Sequence, residues 1–184
     1  MTDIKVSGRF YYGVTSSNDH TSGYFDRCDM TSYVEPMAWF GNVDKKLIIT
    51  NSHFHDTPGT TCVGLYIHPS VSTLIDGCSF SNIGRFCVYM NGNPSHVPEY
   101  SIVRNCTFDD TTRFGIKTSK NTQTTVIGCR FQNYSSNSIS VINDAIVSSC
   151  VFEGHYGVSG ARNLLVEDCI FTAPTTGDAV TGHG

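Results

Sequence analysis

A chain of 184 residues is the size of one domain, and its formal charge of −4 argues against a general nucleic-acid partner. Only 15% of the residues are charged, and Ser, Thr, Asn and Gly separate short apolar runs. No segment has the length and apolarity of a membrane span, and the first ten residues lack the apolar run of a signal peptide. We therefore expect synthesis in the cytoplasm without a signal peptide, and no membrane insertion.

One pattern recurs along the chain: two apolar residues, a short polar or glycine step, a Cys, any residue and a Phe. Its copies are residues 24–30, 48–54, 74–80, 102–108, 126–131, 146–152 and 165–171. Ser52 takes the Cys position in one copy, and Met30 takes the Phe position in another. Self-similarity at a period of roughly 20 to 30 residues is typical of a solenoid.

A second short run of β-forming residues follows most copies of the first. These runs are residues 64–67, 86–90, 114–118, 138–141, 156–160 and 178–181. No repeat unit holds an amphipathic window long enough for a helix, so the pattern predicts an all-β solenoid of about seven coils. Successive coils would stack at about 4.8 Å, and equivalent Cys and Phe side chains would form ladders.

Six of the eight Cys residues occupy one column of this repeat: Cys28, Cys78, Cys106, Cys129, Cys150 and Cys169. A column between apolar neighbours predicts inward-facing, reduced thiols that pack as small hydrophobic side chains rather than disulfides. Zinc is disfavoured because no CxxC pair is present. We expect no metal and no cofactor, and reduced thiols favour folding in a cytoplasm.

The whole chain, residues 1–184, is predicted to be one domain with loop insertions at 31–46 and 91–100. Trp39 lies in the first insertion, either on a core strand or as a residue that stacks on a sugar. The chain shows no recognisable cap at either end. It is therefore expected to be part of a longer protein, or else to be covered by another chain.

Alternation along the second run predicts which side chains face out. Leu65, Val88, Ile116, Ile139, Val158 and Val180 should face in, and the small residues before them, Gly64, Cys87, Gly115, Ser138, Gly157 and Ala179, should form an outward floor. One flanking column would be Cys62, Arg85, Arg113, Ser136, His155 and Gly177, and the other Tyr66, Tyr89, Lys117, Ser140, Ser159 and Thr181. Guanidinium groups bind carboxylates, and aromatic rings stack on sugars. The walls of this groove are therefore expected to bind an acidic or mixed polysaccharide, unless they are ordinary surface residues.

Two carboxylates follow the Cys column at the same distance. Asp109 and Glu153, with Gln132 between them, should lie two coils apart, which is about 10 Å and just reaches the separation of an inverting glycosidase. The alternative is ordinary turn chemistry, as expected for Asn82, Asp110 and Asn133.

The first run carries two adjacent apolar residues in most copies, as in Leu74 and Ile75. If Leu74 faces in, then Ile75, Val103, Val147 and Val166 form an apolar stripe outside, of the kind that marks an interface. The alternative is a bend in the strand.

The Cys–Phe repeat resembles the right-handed parallel β-helix of the pectate-lyase-like superfamily over residues 24 to 181. The lyases of that superfamily typically use an Arg or Lys base, a role open to Arg113 or Lys117, together with calcium on clustered Asp residues that this chain lacks beside them. The tailspike branch implies a homotrimer on a virion, around a threefold axis.

Our leading expectation is therefore a polysaccharide-binding module of a viral tailspike or a similar extracellular appendage, with cleavage of the polysaccharide as a further activity to be tested. A free-standing polysaccharide lyase or epimerase is the first alternative, and a structural spacer without catalytic activity is the second.

Overall fold

The computed structural model describes residues 5–6, 14–16, 22–31, 38–43, 46–69, 72–91, 100–111, 113–119, 123–134, 136–154, 156–160, 162–172 and 178–182. These residues form 23 strands, numbered β1 to β23 along the chain, and no helix. Within these ranges, accordingly, nothing resembles a membrane-spanning helix.

The strands form three parallel sheets, which the chain visits in turn as it winds through each coil. Sheet A contains β3 Gly23–Asp26, β6 Lys46–Thr50, β9 Ser72–Asp76, β12 Ser101–Arg104, β15 Thr124–Ile127, β18 Ala145–Ser148 and β21 Leu164–Glu167. Sheet B contains β1 Lys5–Val6, β4 Asp29–Thr31, β7 His53–Thr57, β10 Ser79–Ile83, β13 Thr107–Thr111, β16 Arg130–Gln132, β19 Val151–Glu153 and β22 Ile170–Thr172. Sheet C contains β2 Val14–Ser16, β5 Ala38–Val43, β8 Val63–Pro69, β11 Phe86–Asn91, β14 Phe114–Ser119, β17 Asn137–Val141, β20 Tyr156–Gly160 and β23 Val180–Gly182. The predicted all-β parallel solenoid is confirmed. Strand β5 lies within the predicted insertion at 31–46, and residues 92–99 of the second insertion lie outside the described residues.

The corner between sheets A and B explains why the repeat needs a polar or glycine residue before each Cys. That residue has a positive φ between 49° and 63° in the corners formed by Arg27, Asn51, Gly77, Asn105, Gly128, Ser149 and Asp168. Asn, Asp and Gly tolerate this left-handed conformation better than other residues. The next side chain then secures the corner, because each Cys Sγ donates to the carbonyl oxygen two residues earlier at 3.1–3.6 Å. Ser52 replaces Cys with the same bond, from its Oγ to the Thr50 carbonyl at 2.8 Å.

The Phe ladder forms the centre of the interior. The rings of Phe54, Phe80, Phe108, Phe131, Phe152 and Phe171 stack with centroids 4.6–5.0 Å apart and nearly parallel planes. Burying one such side chain stabilises the fold by roughly 1.5–3 kcal/mol, so one residue type repeated in register supplies much of the core.

The Cys column also faces inward, as predicted. All eight Cys residues are free thiols, and five of the six column members are buried, Cys169 being half-buried. A hydrogen bond with the Cys129 thiol, together with burial, raises the pKa of Cys106 to about 12. A thiol of this kind stays protonated and inert at neutral pH, because the thiolate is the reactive form.

Sheet A alternates in the opposite phase to the one predicted. Ile75, Val103 and Val147 are fully buried, so the apolar stripe expected from them outside the helix is wrong. Their neighbours face out instead, in the register Tyr24, Ile48, Leu74, Ile102, Thr125, Ile146 and Leu165. We call this row the sheet A stripe. Ile146 is 42% exposed and Leu165 49% exposed, so an exposed apolar row exists, formed by the other residue of each pair.

Candidate functional site

The strands of sheet C bend where straight alternation was expected. Leu65, Val88, Ile116, Ile139 and Val158 are buried, as predicted. The small residues before them, Gly64, Cys87, Gly115, Ser138 and Gly157, are buried as well. The predicted outward floor of small residues is therefore wrong, and so is the outward position of Cys62, which is 1% exposed.

The bend has a steric cause. A Cβ atom on Gly115 would lie 2.9 Å from Cε1 of Phe131, and one on Gly157 would lie 2.4 Å from Cε1 of Phe171. These small residues therefore lie directly against the Phe ladder, where the strand backbone approaches the rings. Only a small side chain permits this approach, and the strand can then turn its next residue inward too.

The outward column of sheet C lies beyond the bend, where it was predicted. Tyr66, Tyr89, Lys117, Ser140, Ser159 and Thr181 are register partners in successive coils. Trp39 takes the same register position one coil before Tyr66. We call the column from Tyr66 to Thr181 the sheet C row; it begins with two tyrosines and continues with a cation and hydroxyls.

Two tyrosines form the aromatic part of the row. The rings of Tyr66 and Tyr89 meet edge to face with centroids 5.1 Å apart, and both side chains are half-buried. The Asn91 amide donates to the Tyr66 hydroxyl at 2.8 Å, and the Ser119 hydroxyl donates to the Asn91 carbonyl oxygen at 2.6 Å. The Tyr89 hydroxyl lies 3.5 Å from Ser119 Oγ. A polar chain of side chains thus runs along one edge of the rings and fixes their orientation.

Two cations lie beside the tyrosines, each over a neighbouring Phe ring. The Arg85 guanidinium lies 4.7 Å from the centroid of the Phe86 ring, and Lys117 Nζ lies 4.9 Å from that of Phe114. Lys117 Nζ also donates to Ser140 Oγ at 3.2 Å, and partial burial lowers the pKa of Lys117. The predicted binding residues Tyr66, Arg85, Tyr89 and Lys117 thus come together on one face.

Two other predicted binding residues, Arg113 and His155, are not among these four. Arg113 is exposed immediately before β14, one coil beyond the corresponding Arg85. His155 lies outside the described residues.

The predicted carboxylates lie on sheet B rather than on this face. Asp109, Gln132 and Glu153 are register partners in successive coils, as expected from their spacing. Arg130 Nη2 donates to both carboxylate oxygens of Glu153, at 2.7 and 3.0 Å. Asp109 accepts a hydrogen bond from the Asn133 amide at 2.7 Å. Both carboxylates therefore bond to neighbouring side chains on the sheet B side of the helix. Arg113 and Lys117 lie on the sheet C side instead.

The corner between sheets B and C accounts for Asp109's partner. Asp56, Asn82, Asp110 and Asn133 all have positive φ, between 49° and 58°. The side-chain amides of Asn82 and Asn133 donate to Asp56 and Asp109, the acidic residues one coil earlier, at 2.9 and 2.7 Å. Asn82, Asp110 and Asn133 thus lie at turns, as expected, and the amides of Asn82 and Asn133 bond to side-chain carboxylates rather than to the backbone amides that were predicted.

A cluster on sheet B was not predicted. Asp29, His53 and His55 project from adjacent strands, and one ligand atom of each lies within 4.8 Å of the others. Burial lowers the pKa of His55, but its hydrogen bonds to Asp56 and Asp29 outweigh burial and raise it. The sequence signal was available: residues i and i+2 of a strand share a face, and Asp29 follows the Cys column as His53 follows Ser52.

Comparison with known proteins agrees with this architecture. The family model described as a right-handed beta helix region matches residues 1–144 and again residues 39–184, which together cover the chain. Searches of curated proteins and of solved structures gave no significant match. The parallel three-sheet coil, the ladders and the match to this model agree, and the chain therefore belongs to the right-handed β-helix family.

Proposed function

We propose that the sheet C row binds a polysaccharide, and that the chain serves as the binding module of a viral tailspike or a similar extracellular appendage. The observation that carries the proposal is the pair of tyrosines in successive coils, held by Asn91 and Ser119 and flanked by Arg85 and Lys117. Aromatic surface with a few well-placed polar groups is typical of ligand sites.

The chemistry of the row indicates the ligand class. Half-exposed rings offer an apolar surface to the faces of sugar units, and the hydroxyl of the partly exposed Ser159 offers a hydrogen bond further along the same axis, whereas Ser140 is buried and holds Lys117. Arg85, Arg113 and Lys117 supply positive charge, which favours carboxylate-bearing sugars. A linear acidic glycan lying along the helix axis satisfies these groups together.

The test is retention of a panel of acidic and neutral bacterial surface polysaccharides on the immobilised chain, with products analysed in parallel. We expect Tyr66→Ala with Tyr89→Ala to weaken retention of an acidic glycan by about tenfold or more, from the loss of two aromatic contacts. The matched control is Thr50→Ala with Asp76→Ala, which truncates half-buried residues of the same two coils on sheet A that are not part of the sheet A stripe. Equal loss in both double variants, or none in the tyrosine variant, would overturn the proposal.

Release of shortened glycan would extend the proposal to cleavage. Arg113→Ala and Lys117→Ala test a lyase-type base, and Asp109→Ala and Glu153→Ala test an acid–base pair. Retention without product leaves binding as the function. A chain that retains no glycan from the panel corresponds to the structural spacer.

The sheet A stripe supports a proposal about assembly: three copies of the chain pack around a threefold axis with this row between them. A straight apolar row parallel to the axis is the surface that such packing buries. Light scattering on the purified chain should give the mass of a trimer, and Ile146→Asp with Leu165→Asp should give that of a monomer. A monomeric parent chain contradicts the assembly without bearing on the sheet C row.

A further inference from the structure

We propose that Asp29, His53 and His55 form a binding site for a divalent transition metal, with zinc as the best-fitting ion. The three side chains come from two adjacent strands of sheet B. Asp29 on β4 is the register partner of His53 on β7, and His55 lies two residues further along β7 on the same outward face. The site is therefore built by the strand register of two neighbouring coils and lies apart from the sheet C row.

The distances fit a tetrahedral ion. Asp29 Oδ1 lies 2.7 Å from His55 Nε2 and 3.8 Å from His53 Nδ1. Two ligand atoms each about 2.0–2.1 Å from a tetrahedral zinc ion are about 3.3 Å apart. The two observed distances lie on either side of this value, so small side-chain rotations create the site without moving the backbone.

Each imidazole is oriented by a partner at its other nitrogen. His55 Nδ1 lies 2.8 Å from Asp56 Oδ2, and Asp56 in turn accepts a hydrogen bond from Asn82 at 2.9 Å. His53 Nε2 lies 3.3 Å from Ser81 Oγ. A histidine whose far nitrogen bonds to a carboxylate or hydroxyl presents its near nitrogen to a metal, and this second layer of contacts is typical of metal sites in proteins.

The side chains are positioned and accessible. The two imidazole rings lie side by side with centroids 4.2 Å apart, so both rings are close to Asp29 on the same face. The side chains of Asp29 and His53 are 39% and 46% exposed, and that of His55 is 22% exposed, so an ion can enter from solvent.

The donor set selects the class of ion. Two imidazole nitrogens and one carboxylate oxygen suit zinc and its neighbours cobalt and nickel, whereas calcium and magnesium require a shell of oxygen ligands. Three protein ligands leave the fourth tetrahedral position to water or to an incoming ligand.

The test is zinc titration of the full chain, freed of metal with a chelator and kept reduced, by calorimetry and by thermal unfolding. We expect one zinc ion per chain and a melting temperature raised by roughly 5 °C at saturation, because an ion bound only by the folded state stabilises it. His53→Gln and His55→Gln should each weaken binding more than tenfold. Asp56→Asn, which keeps a residue suited to positive φ, should weaken it by roughly 10- to 100-fold through the lost orientation of His55. The matched control, His68→Gln on sheet C, should bind zinc as the parent chain does.

Cobalt separates this site from the thiols. Cobalt on nitrogen and oxygen ligands gives weak visible bands, whereas cobalt on Cys adds an intense sulfur-to-metal charge-transfer band. A charge-transfer band, the absence of stoichiometric zinc, or equal affinity in His55→Gln and His68→Gln would each overturn the proposal.

Discussion

Sheets A and C resolve the same sequence problem in opposite ways. Each places two adjacent small or apolar residues in the middle of its strands. In sheet A, the chain alternates regularly, so Ile102 faces out and Val103 is buried. In sheet C, the chain bends, and Gly115 and Ile116 are both buried.

The size of the first residue of each pair decides between these solutions. Sheet C offers Gly, Ser or Cys, which fit between the backbone and the Phe ladder. Sheet A offers Ile, Leu, Thr or Tyr, which are too large for that space and are left outside. The difference sets the two outer surfaces, because the bend in sheet C carries Tyr66 and Tyr89 outward while regular alternation in sheet A leaves an apolar stripe.

The largest expected effect comes from filling the space beneath the bend. Gly115→Val places carbon against the Tyr134 hydroxyl, Phe131 and the Ser138 carbonyl, all within 2.9 Å of the first added atom. Overpacking of this kind should lower the free energy of unfolding by about 3 kcal/mol, measured by urea denaturation. The control is Gly182→Val, since no heavy atom lies within 4 Å of a Cβ atom there. If both variants unfolded at the same urea concentration, the small residues would not face the interior.

A second experiment tests the phase of sheet A. Val147 is fully buried, whereas its neighbour Ile146 is 42% exposed. Under conditions in which the chain is monomeric, Val147→Ala should cost about 2–3 kcal/mol by cavity formation, and Ile146→Ala about 0.5 kcal/mol or less. Urea denaturation of the two variants supplies the measurement. A larger loss in Ile146→Ala than in Val147→Ala would show that Ile146 faces the interior, as the sequence analysis predicted.

A third experiment compares one Thr residue of sheet A with one of sheet C. Among the described residues, Thr124 Oγ1 of sheet A is buried with no hydrogen-bond partner, whereas Thr118 Oγ1 of sheet C accepts from the Ile142 amide at 3.2 Å. Thr124→Val should therefore stabilise the chain by about 1 kcal/mol, and Thr118→Val should destabilise it by a similar amount. Thermal unfolding gives both values, and equal signs would contradict the assigned contacts.

The smallest effect is a pH dependence on the outer surface of sheet A. Arg104 donates to Asp76 at 2.7–2.9 Å and holds the pKa of that carboxyl below 3.8. The stabilisation from this pair is thus fully present above pH 3.8 and is lost as the pH falls through the lowered pKa of Asp76. It is small because the pair is partly exposed to solvent. Arg104→Met should be slightly less stable than the parent at pH 7, and the difference should disappear as the pH falls through the lowered pKa of Asp76. A difference that persisted in acid would assign the effect to packing.

Much of this fold could be predicted from the sequence, because a parallel solenoid converts sequence spacing directly into register. The spacing of Phe80 and Phe108 predicts the stacked rings, and that of Tyr66 and Tyr89 predicts the outward pair. The phase could not be predicted in the same way. Alternation shows that Ile75 and Leu74 face opposite sides, but not which side is the interior when both are apolar.

The candidate sites divide along the same line. The columns that include Lys117 and Asp109 follow from spacing alone. Whether a carboxylate is free to act on a substrate depends on its neighbours in space. Glu153 forms an ion pair with Arg130, and the two residues occupy different columns of the repeat, so their spacing did not predict the contact. The cluster of Asp29 with His53 and His55 escaped the sequence analysis because its members are ligands only when two coils are read together.

The fixed register of the coils also has a consequence for how the chain folds. Bonds between neighbouring coils join residues separated by 19 positions, as in Asn163 and Asp144, up to 31, as in Cys106 and Ile75. Each added coil therefore closes a loop of the same modest length, and the mean separation of contacting residues stays constant as the solenoid grows. Folding rates fall as that separation becomes a larger fraction of the chain. Once a first pair of coils has formed, each further coil can add to an existing edge in a step of similar difficulty. The time to fold should therefore increase in proportion to the number of coils.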